Sequence, residues 1–409
     1  MTRKRNLFIA VTFAVVLVLL GLGERLLERA ASAQARSSRQ APRFEVDPLW
    51  PKPLPNHWLL GSTIGVWVDE QDHVWIIHRS SATLGNNEKG LELSPPTGEC
   101  CAGAPPVLEF DAAGNLLRHW GGPGQGYEWP DSNHGIFVDH KGNVWIGGNG
   151  GPDAHVLKFS KDGKFLMQSG HKGTRPGPKN AQGQATWLAN SNDPVNFGRV
   201  AKIFVDPKDN EAYLSDGYLN KRVAVIDADT GKLKRYWGAY GNKPDDTNQG
   251  PYKPDAPPLQ QFRSPVHCAD LANDGLLYVC DRVNDRIQVF QKDGKFVKEA
   301  FIAKKSLGEG SVWDVAFSKD PKQTYLYLAD GRNMKVHILL RDTLEELTTF
   351  GDGGRQPGQF YGVHSIATDS KGNIYTTETY EGKRVQKFVY KGLGPVSKQD
   401  QGVLWPATK

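Results

Sequence analysis

The sequence predicts an all-β protein with the architecture of a six-bladed β-propeller. One strand pattern recurs six times: a short apolar strand, a polar turn that often contains Gly, an aromatic and apolar second strand, an acidic or Gly/Asn loop, and a third strand that ends in Phe or Ile. Four strands per unit, in units that start 46–70 residues apart, are typical of propeller blades. The 45 Gly and 26 Pro residues among 409 also fit a protein rich in turns.

The six units follow one another along the chain. Their first two strands lie at Thr63–Arg79, Asn133–Gly148, Val200–Tyr218, Val266–Arg282, Val312–Gly331 and Val363–Thr379. The third strands are equally regular, as in Arg286–Phe290 and Arg384–Phe388, and each is followed by a turn and a fourth strand. An up-and-down barrel lacks such a repeated inner-strand motif. We therefore expect one propeller over residues 44–395 and a C-terminal tail over 396–409, and the repeats resemble the NHL family of propeller repeats.

The N-terminal residues 1–35 have the pattern of an export signal. A basic segment at residues 2–6 precedes an apolar run at 7–23, and the small residues A-S-A-Q-A at 31–35 fit a cleavage site. Because the apolar run is long for a signal, a retained membrane anchor over 7–23 is the alternative. In either case we expect an exported protein, periplasmic or secreted. It would contact a membrane only if the anchor over 7–23 is not cleaved. Residues 36–43 are polar and predicted to be a linker.

The charge distribution argues against nucleic acid or an anionic membrane surface as a partner. The formal net charge is +5, but residues 1–35 carry five Lys/Arg and two Asp/Glu, so the rest of the chain carries a net charge of +2. So small a charge over a large surface provides no electrostatic attraction for a polyanion. The sequence predicts no particular oligomeric state.

The four cysteines form two groups. Cys268 and Cys280 are equidistant from the turn Asn273–Gly275, so they are expected to face each other across a hairpin. A cross-strand disulfide and a pair of buried thiols both remain open for them. Cys100 and Cys101 are adjacent in a loop rich in Pro and Gly, and the pattern assigns them no role.

Histidine recurs at one position of the first strand, which lines the central channel of a propeller. Across the six units this position holds Ile64, His134, Ala201, His267, Trp313 and His364. The three imidazoles therefore lie on alternate blades, about 120° apart around one axis. Three His without a fourth protein ligand are typical of a catalytic zinc site, which keeps one position open for water or substrate. The alternative is a set of hydrogen-bonded structural histidines.

A second set of equivalent positions around the channel follows the second strand of each unit. Arg79 and Arg282 occupy the same position in blades 1 and 4, opposite each other across the axis, where two guanidinium groups would suit a carboxylate substrate. The alternative is that both form salt bridges between blades. Tyr218 and Tyr380 stand two residues beyond the acidic position of their units, and a phenol beside a dication and two Arg can serve as a base. A packing role is the alternative for either.

Five motifs resemble those of peptidyl-α-hydroxyglycine α-amidating lyase, a secreted six-bladed propeller. They lie at Gly65–Arg79, Asn133–Ile136, Ser215–Arg222, Val266–Phe290 and Gly362–Ile366. The resemblance covers residues from about Gly61 to Phe388. It selects the same three histidines as the blade positions and favours Tyr218 over Tyr380.

This resemblance implies a zinc-dependent lyase, with iron as the alternative metal. His134, His267 and His364 would bind the metal, Arg79 and Arg282 would hold the substrate carboxylate and the developing oxyanion, and Tyr218 would act as base. The substrate would be a small molecule or a peptide with a C-terminal carboxylate, cleaved to an amide and glyoxylate. Ser365 stands where the family has an Asp associated with a structural calcium ion, which puts a calcium site in this chain in doubt. The insertions at 80–106 and 170–196 are expected to remodel the channel mouth.

Two other functions remain open at this stage. One is a metal-dependent propeller hydrolase such as a lactonase, although those enzymes generally hold calcium with Asp, Asn and Glu, whereas this channel offers His. The other is a non-enzymatic exported propeller that binds a peptide or glycan on its face. In that case His134, His267 and His364 could be replaced with a loss of stability at most.

Overall fold

Six four-stranded antiparallel sheets build the computed structural model, which describes residues 19–23 and 39–406. The strands are β1 (Gln40–Asp47), β2 (Trp58–Leu59), β3 (Thr63–Val68), β4 (Val74–His78), β5 (Ala102–Gly103), β6 (Val107–Phe110), β7 (Leu116–Trp120), β8 (Asn133–Val138), β9 (Val144–Gly148), β10 (His155–Phe159), β11 (Phe165–Gly170), β12 (Pro176–Gly177), β13 (Thr186–Trp187), β14 (Val200–Asp206), β15 (Glu211–Asp216), β16 (Arg222–Asp227), β17 (Leu233–Trp237), β18 (Val266–Leu271), β19 (Leu277–Asp281), β20 (Arg286–Phe290), β21 (Phe296–Phe301), β22 (Asp314–Phe317), β23 (Tyr325–Asp330), β24 (Lys335–Leu340), β25 (Glu346–Phe350), β26 (Val363–Thr368), β27 (Ile374–Glu378) and β28 (Arg384–Pro395). Short 3-10 helices lie at Ser80–Thr83, Asn86–Glu88, Gly90–Glu92, Ala239–Gly241 and Arg282–Asn284.

The sheets are six propeller blades, which confirms the predicted fold. Blades 1 to 5 are β3-β4-β6-β7, β8 to β11, β14 to β17, β18 to β21 and β22 to β25, each ordered from the inner to the outer strand. Blade 6 combines β26, β27 and β28 with β1 from the other end of the chain. Of the two small sheets, β12-β13 lies in the insertion at 170–196, and β2-β5 pairs the segment before blade 1 with the insertion at 80–106.

The ring is closed by β1, which the repeat pattern did not reveal. Its register with β28 runs from Gln40 opposite Pro395 to Asp47 opposite Lys387. The strand thus begins within the segment expected to be a linker, because this pairing satisfies the free edge of β28. At the other end, the backbone of the predicted tail also packs on the blades, and Leu404 accepts a hydrogen bond from the Val46 N–H at 2.7 Å.

The recurring Asp at the end of the first strand organises the hairpin that follows. In blade 1, Asp69 accepts hydrogen bonds from the backbone N–H groups of Gln71 and His73 and from the indole Nε1 of Trp75, at 2.9–3.0 Å. In blade 2, Asp139 binds the indole of Trp145 at 2.9 Å in the same way. The V-D…V-W pattern is therefore a turn and an anchor for a buried Trp, which packs between neighbouring blades.

The acidic residues at the end of the second strand are structural. Asp216 and Asp281 are buried and pair with Arg222 and Arg286 of the next strand, with Nε–Oδ2 distances of 2.7 Å. Asp330 accepts hydrogen bonds from Asn333 in the same loop. These carboxylates fix the connection between the second and third strands, close to the channel mouth.

The cysteine pairing is resolved by the structure. Cys268 and Cys280 are paired in the register of β18 and β19, as predicted, with a Cα–Cα distance of 4.8 Å, and they form a disulfide. Cys100 and Cys101 are disulfide-bonded to each other.

Most of the predicted export segment lies outside the described residues, which include only 19–23 of it, in helical conformation. In the part of the chain that is described, no helix has the length and apolar character that a bilayer crossing requires.

Candidate metal centre and active site

Irregularities in the inner strands surround the three predicted histidines, and blades 1 and 3 have the same irregularity around Ile64 and Ala201. The pairing register shifts between Asn133 and Ile136 in β8, between Val266 and Cys268 in β18, and between Val363 and Ser365 in β26. Each shift brackets the histidine of its strand. Such β-bulges re-aim a side chain without ending the strand. Here the three imidazoles converge, with ring centroids 4.8–5.2 Å apart.

Each imidazole is anchored through Nδ1 to the backbone of the next blade. The pairs, with their Nδ1–O distances, are His134 with Ala201 (2.7 Å), His267 with Trp313 (2.5 Å) and His364 with Ile64 (2.6 Å). The three acceptor residues belong to the blades that lack a histidine at this position. Because a carbonyl oxygen can only accept, Nδ1 carries the hydrogen and Nε2 keeps a free lone pair that can bind a metal.

The geometry and protonation of these histidines fit a divalent transition metal. One ligand atom from each residue lies within 4.8 Å of the others. Burial, reinforced by the positive charges of Arg282 and Arg79, lowers the pKa of His364 to about 3. Burial also holds the pKa values of His134 and His267 well below 6.5. All three are therefore neutral, which is the form that binds zinc or iron.

Tyr218 contacts two of the three histidines through its hydroxyl group. Its Oη lies 3.0 Å from Nε2 of His134 and 3.0 Å from Nε2 of His267, and it accepts a hydrogen bond from Nη1 of Arg282 at 3.1 Å. A hydroxyl has one hydrogen, so it can donate to only one of the two histidines at a time. The preceding Gly217 is required by close packing, since a Cβ there would lie 2.1 Å from the Val266 carbonyl oxygen.

The two predicted arginines both keep unused donors. Arg282 is 7% exposed and stacks over the Trp313 ring at 4.4 Å. Arg79 donates from Nη2 to Asn149 at 2.9 Å. Among the described residues, the buried Nε atoms of both arginines have no hydrogen-bond partner. An unpaired buried donor is costly, so these groups favour an anionic ligand with acceptor oxygens.

Glu309 is a residue that sequence reasoning missed. It accepts a hydrogen bond from Oη of Tyr380 at 2.6 Å and lies 3.6 Å from Nη2 of Arg282. Tyr380 is 49% exposed and bound to Glu309, whereas Tyr218 faces the histidines. The available signal was the L-G-E-G sequence, because two flanking glycines with positive φ, 78° at Gly308 and 73° at Gly310, allow the sharp loop that presents this carboxylate.

The insertion at 80–106 follows Arg79 directly, so it begins beside one of the two predicted arginines. Its Ser80 N–H donates to Nδ1 of His78 at 3.1 Å, and Glu88 pairs with Lys383 of blade 6 at 2.7 Å. The insertion at 170–196 contributes a backbone carbonyl, that of Ser191, to Arg222 at 3.0 Å. Both insertions are thus attached to the loops that follow second strands.

Comparison with known proteins agrees with this architecture. No family model matches the chain. NHL repeat-containing protein 3 of Mus musculus is 26% identical over 382 residues, which cover 89% of this chain and 89% of the mouse protein. The peptidylglycine alpha-amidating monooxygenase of Rattus norvegicus is 26% identical over 249 residues. This chain resembles NHL-repeat propellers and the amidating lyase.

The match to the rat monooxygenase covers 60% of this chain and 22% of that protein. The monooxygenase B of Xenopus laevis is 26% identical over 167 residues, which are 41% of this chain and 16% of the frog protein. The chain therefore spans less than a quarter of either amidating protein. A streptogramin B lyase structure aligns with a TM-score of 0.49 and 14% identity, over 87% of this chain and 99% of that one.

Proposed function

We propose that this protein is an exported, metal-dependent lyase that cleaves the C–N bond of an N-substituted α-hydroxyglycine to an amide and glyoxylate. One observation carries the proposal. The Tyr218 hydroxyl lies within 3.1 Å of two histidine Nε2 atoms and of the Arg282 guanidinium. A potential base, a potential metal centre and an anion-binding group are thus within reach of one small substrate.

The metal ligands in this proposal are His134, His267 and His364, since their Nε2 atoms converge and their Nδ1 atoms are engaged. Zinc fits this donor set, and iron is the alternative. When bound, the metal supplies Lewis-acid stabilisation of the substrate oxygen on which negative charge develops. The chemistry of the donor set favours a lyase over the calcium-dependent propeller hydrolases, because three imidazoles are poor calcium ligands.

Arg79 and Arg282 bind the substrate carboxylate from opposite sides of the channel. Their unpaired Nε donors give the carboxylate oxygens partners that the folded chain leaves free. The stacking of Arg282 on Trp313 fixes the plane of the guanidinium, so that its donors are oriented before substrate arrives. The same positive charge stabilises the alkoxide that forms as the reaction proceeds.

Tyr218 moves the proton. In its phenolate form, Tyr218 takes the hydrogen of the α-hydroxyl group on Oη, and the O–H electron pair becomes the second bond of the glyoxylate carbonyl. The C–N bond breaks, its electron pair stays on nitrogen, and the proton passes from Tyr218 to that nitrogen to complete the amide. No water and no oxidant are consumed, so the reaction needs no reactant other than the substrate.

The test is a glyoxylate assay with an N-acyl-α-hydroxyglycine as substrate. We expect the purified zinc-loaded or iron-loaded protein to release glyoxylate and amide in equal amounts, and the chelated protein to lose this activity. His267→Ala should be inactive after metal addition. If wild-type protein loaded with either metal releases no glyoxylate, the lyase proposal is wrong, and a propeller that binds peptides or glycans without catalysis becomes the better description.

A further inference from the structure

A buried lysine lines the same pocket as the three histidines. Lys202, from β14 of blade 3, has a side chain that is 6% exposed. Its Nζ donates to Oδ1 of Asp314 at 2.6 Å and to Oδ2 of Asp270 at 3.0 Å. Both carboxylates are also buried, with exposed side-chain fractions of 3% for Asp314 and 4% for Asp270. An ammonium group in this place connects blade 3 to blades 4 and 5.

The network continues around the ring. Oδ2 of Asp314 accepts hydrogen bonds from Oγ of Ser365 at 2.6 Å and from the backbone N–H of Ile366 at 3.1 Å. The Ser365 hydroxyl in turn accepts from the backbone N–H of Val66 at 3.4 Å. Blades 3, 4, 5, 6 and 1 are therefore linked by one chain of polar contacts. This set, Lys202, Asp270, Asp314 and Ser365, is called the axial network below.

The axial network forms the floor of the histidine site. Lys202, Asp314 and Ser365 line the same small pocket as His134, His267 and His364. Its volume is about 10 Å³, which is room for one water molecule at most. A hydrated ion therefore does not fit in this pocket.

A structural calcium ion, which the Ser365 position already puts in doubt, does not fit this site. Calcium requires six to eight oxygen ligands, usually including several carboxylates. The position that is an Asp in that family is the uncharged Ser365, and its hydroxyl donates to Asp314. The nearest candidate for a cation-binding cluster, Cys268 with Asp270 and Asp314, has its thiol in a disulfide and its carboxylates bound to Lys202.

We propose that Lys202 is an internal cation that replaces a structural divalent ion on the propeller axis. Its ammonium group neutralises the carboxylates that such an ion would bind and holds the inner strands together without metal. Burial raises the pKa of Asp270, although the neighbouring Lys202 opposes this shift. Removal of the ammonium would leave two carboxylates facing each other in a dry space.

The test compares calcium dependence in Lys202→Ala, Lys202→Met and wild-type protein, all loaded with zinc. Wild-type protein should contain no calcium by elemental analysis, and its Tm should not change with added calcium. Both variants should unfold at a Tm lower by roughly 5–10 °C, because a buried ion pair is broken. Calcium should restore part of this loss in Lys202→Ala, where the deleted side chain leaves room for an ion, and not in Lys202→Met, whose side chain fills that room.

Calcium bound to wild-type protein, or a rise of its Tm with calcium, would overturn the proposal. A response of Lys202→Ala to calcium no greater than that of Lys202→Met would also overturn it. If Lys202→Ala folds only when calcium is present, the proposal is supported. If Lys202→Ala folds neither with nor without calcium, the calcium content of the wild-type protein and the response of its Tm to calcium decide the question. None of these readouts depends on lyase activity, so the proposed function can fail independently.

Discussion

The Nδ1 atom of His364 donates a hydrogen bond to the backbone carbonyl oxygen of Ile64 at 2.6 Å, joining the sixth blade to the first. The same bond from blade 2 to blade 3 and from blade 4 to blade 5 fixes the other two histidines. A backbone acceptor cannot rotate away as a side chain can. The candidate metal site is therefore oriented by the propeller itself, and its geometry depends on the correct spacing of the blades.

Removal of one histidine should abolish metal binding. We expect the wild-type protein to bind about one zinc or iron per chain and His364→Ala to bind almost none, because two imidazoles are too few for a stable site. Elemental analysis after dialysis measures this. The matched control is His155→Gln, a buried histidine outside the channel whose Nε2 bonds to the Glu128 carbonyl oxygen. Full metal content in His364→Ala would contradict the assignment.

The two tyrosines at equivalent positions should behave differently. Tyr218→Phe removes the hydroxyl that lies 3.0 Å from two histidines, and we expect kcat to fall by about 10²–10⁴-fold with metal content unchanged. Tyr380→Phe removes a hydroxyl that contacts Glu309 and should change kcat far less. Steady-state glyoxylate release measures both. Equal losses in the two variants would argue against a base at Tyr218.

Arg282 should be specific for the carboxylate of the substrate. Arg282→Lys keeps the charge but loses the planar fork of donors, so we expect KM for an α-hydroxyglycine substrate to rise by about 10–100-fold. A methyl ester of the same substrate lacks the negative charge and should show little difference between variant and wild type. The prediction fails if the acid and the ester are affected alike.

Glu309 should compete with the substrate for Arg282. Its carboxylate lies 3.6 Å from Nη2 of Arg282 and is 44% exposed, so a bound substrate carboxylate must share or displace this contact. We expect Glu309→Gln to lower KM about twofold to tenfold with little change in kcat. Comparison of substrates with acidic and neutral penultimate residues provides a second readout, since the acidic substrate should gain more. An unchanged KM would show that Glu309 is indifferent to the ligand.

The hydrogen bonds of His337 predict a loss of protein stability at alkaline pH. Burial opposes its charged form, but hydrogen bonds with Asp330 at 3.1 Å and Glu346 at 2.7 Å raise its pKa to about 9. A raised histidine pKa stabilises the fold fully below the unfolded value of 6.5, and this contribution is lost as the pH rises through about 9. The loss is on the order of 3 kcal/mol. Urea unfolding across this range should show it in wild-type protein, with a flatter profile in His337→Gln.

The repeat made the channel residues predictable. A residue at a fixed position of the inner strand must face the axis in every blade, so six aligned segments were enough to bring His134, His267 and His364 together. The same reasoning placed Arg79 opposite Arg282. Their roles in catalysis remain predictions, while the proximity of His134, His267 and Arg282 to Tyr218 is a property of the structure.

Features outside the repeat were not predictable in this way. The strand Gln40–Asp47 occurs once and contains a proline, and its partner lies more than 300 residues away in sequence. Glu309 comes from a loop whose length differs between units, so no aligned position reports on it. Lys202 directly follows Ala201, which occupies the histidine position in blade 3. The pairing of its charge with Asp270 and Asp314 depends on the curvature of the ring, which the aligned segments do not report.

The closure of blade 6 sets the order in which the protein can mature. Among the described blade strands, β1 is the first to be synthesised and its partner β28 is the last, and His364 belongs to the same blade as β28. A nascent chain that ends before residue 363 lacks both β28 and the third proposed metal ligand. Such a chain has neither a closed ring nor the complete set of three histidines, so we expect metal binding only after blade 6 has been made.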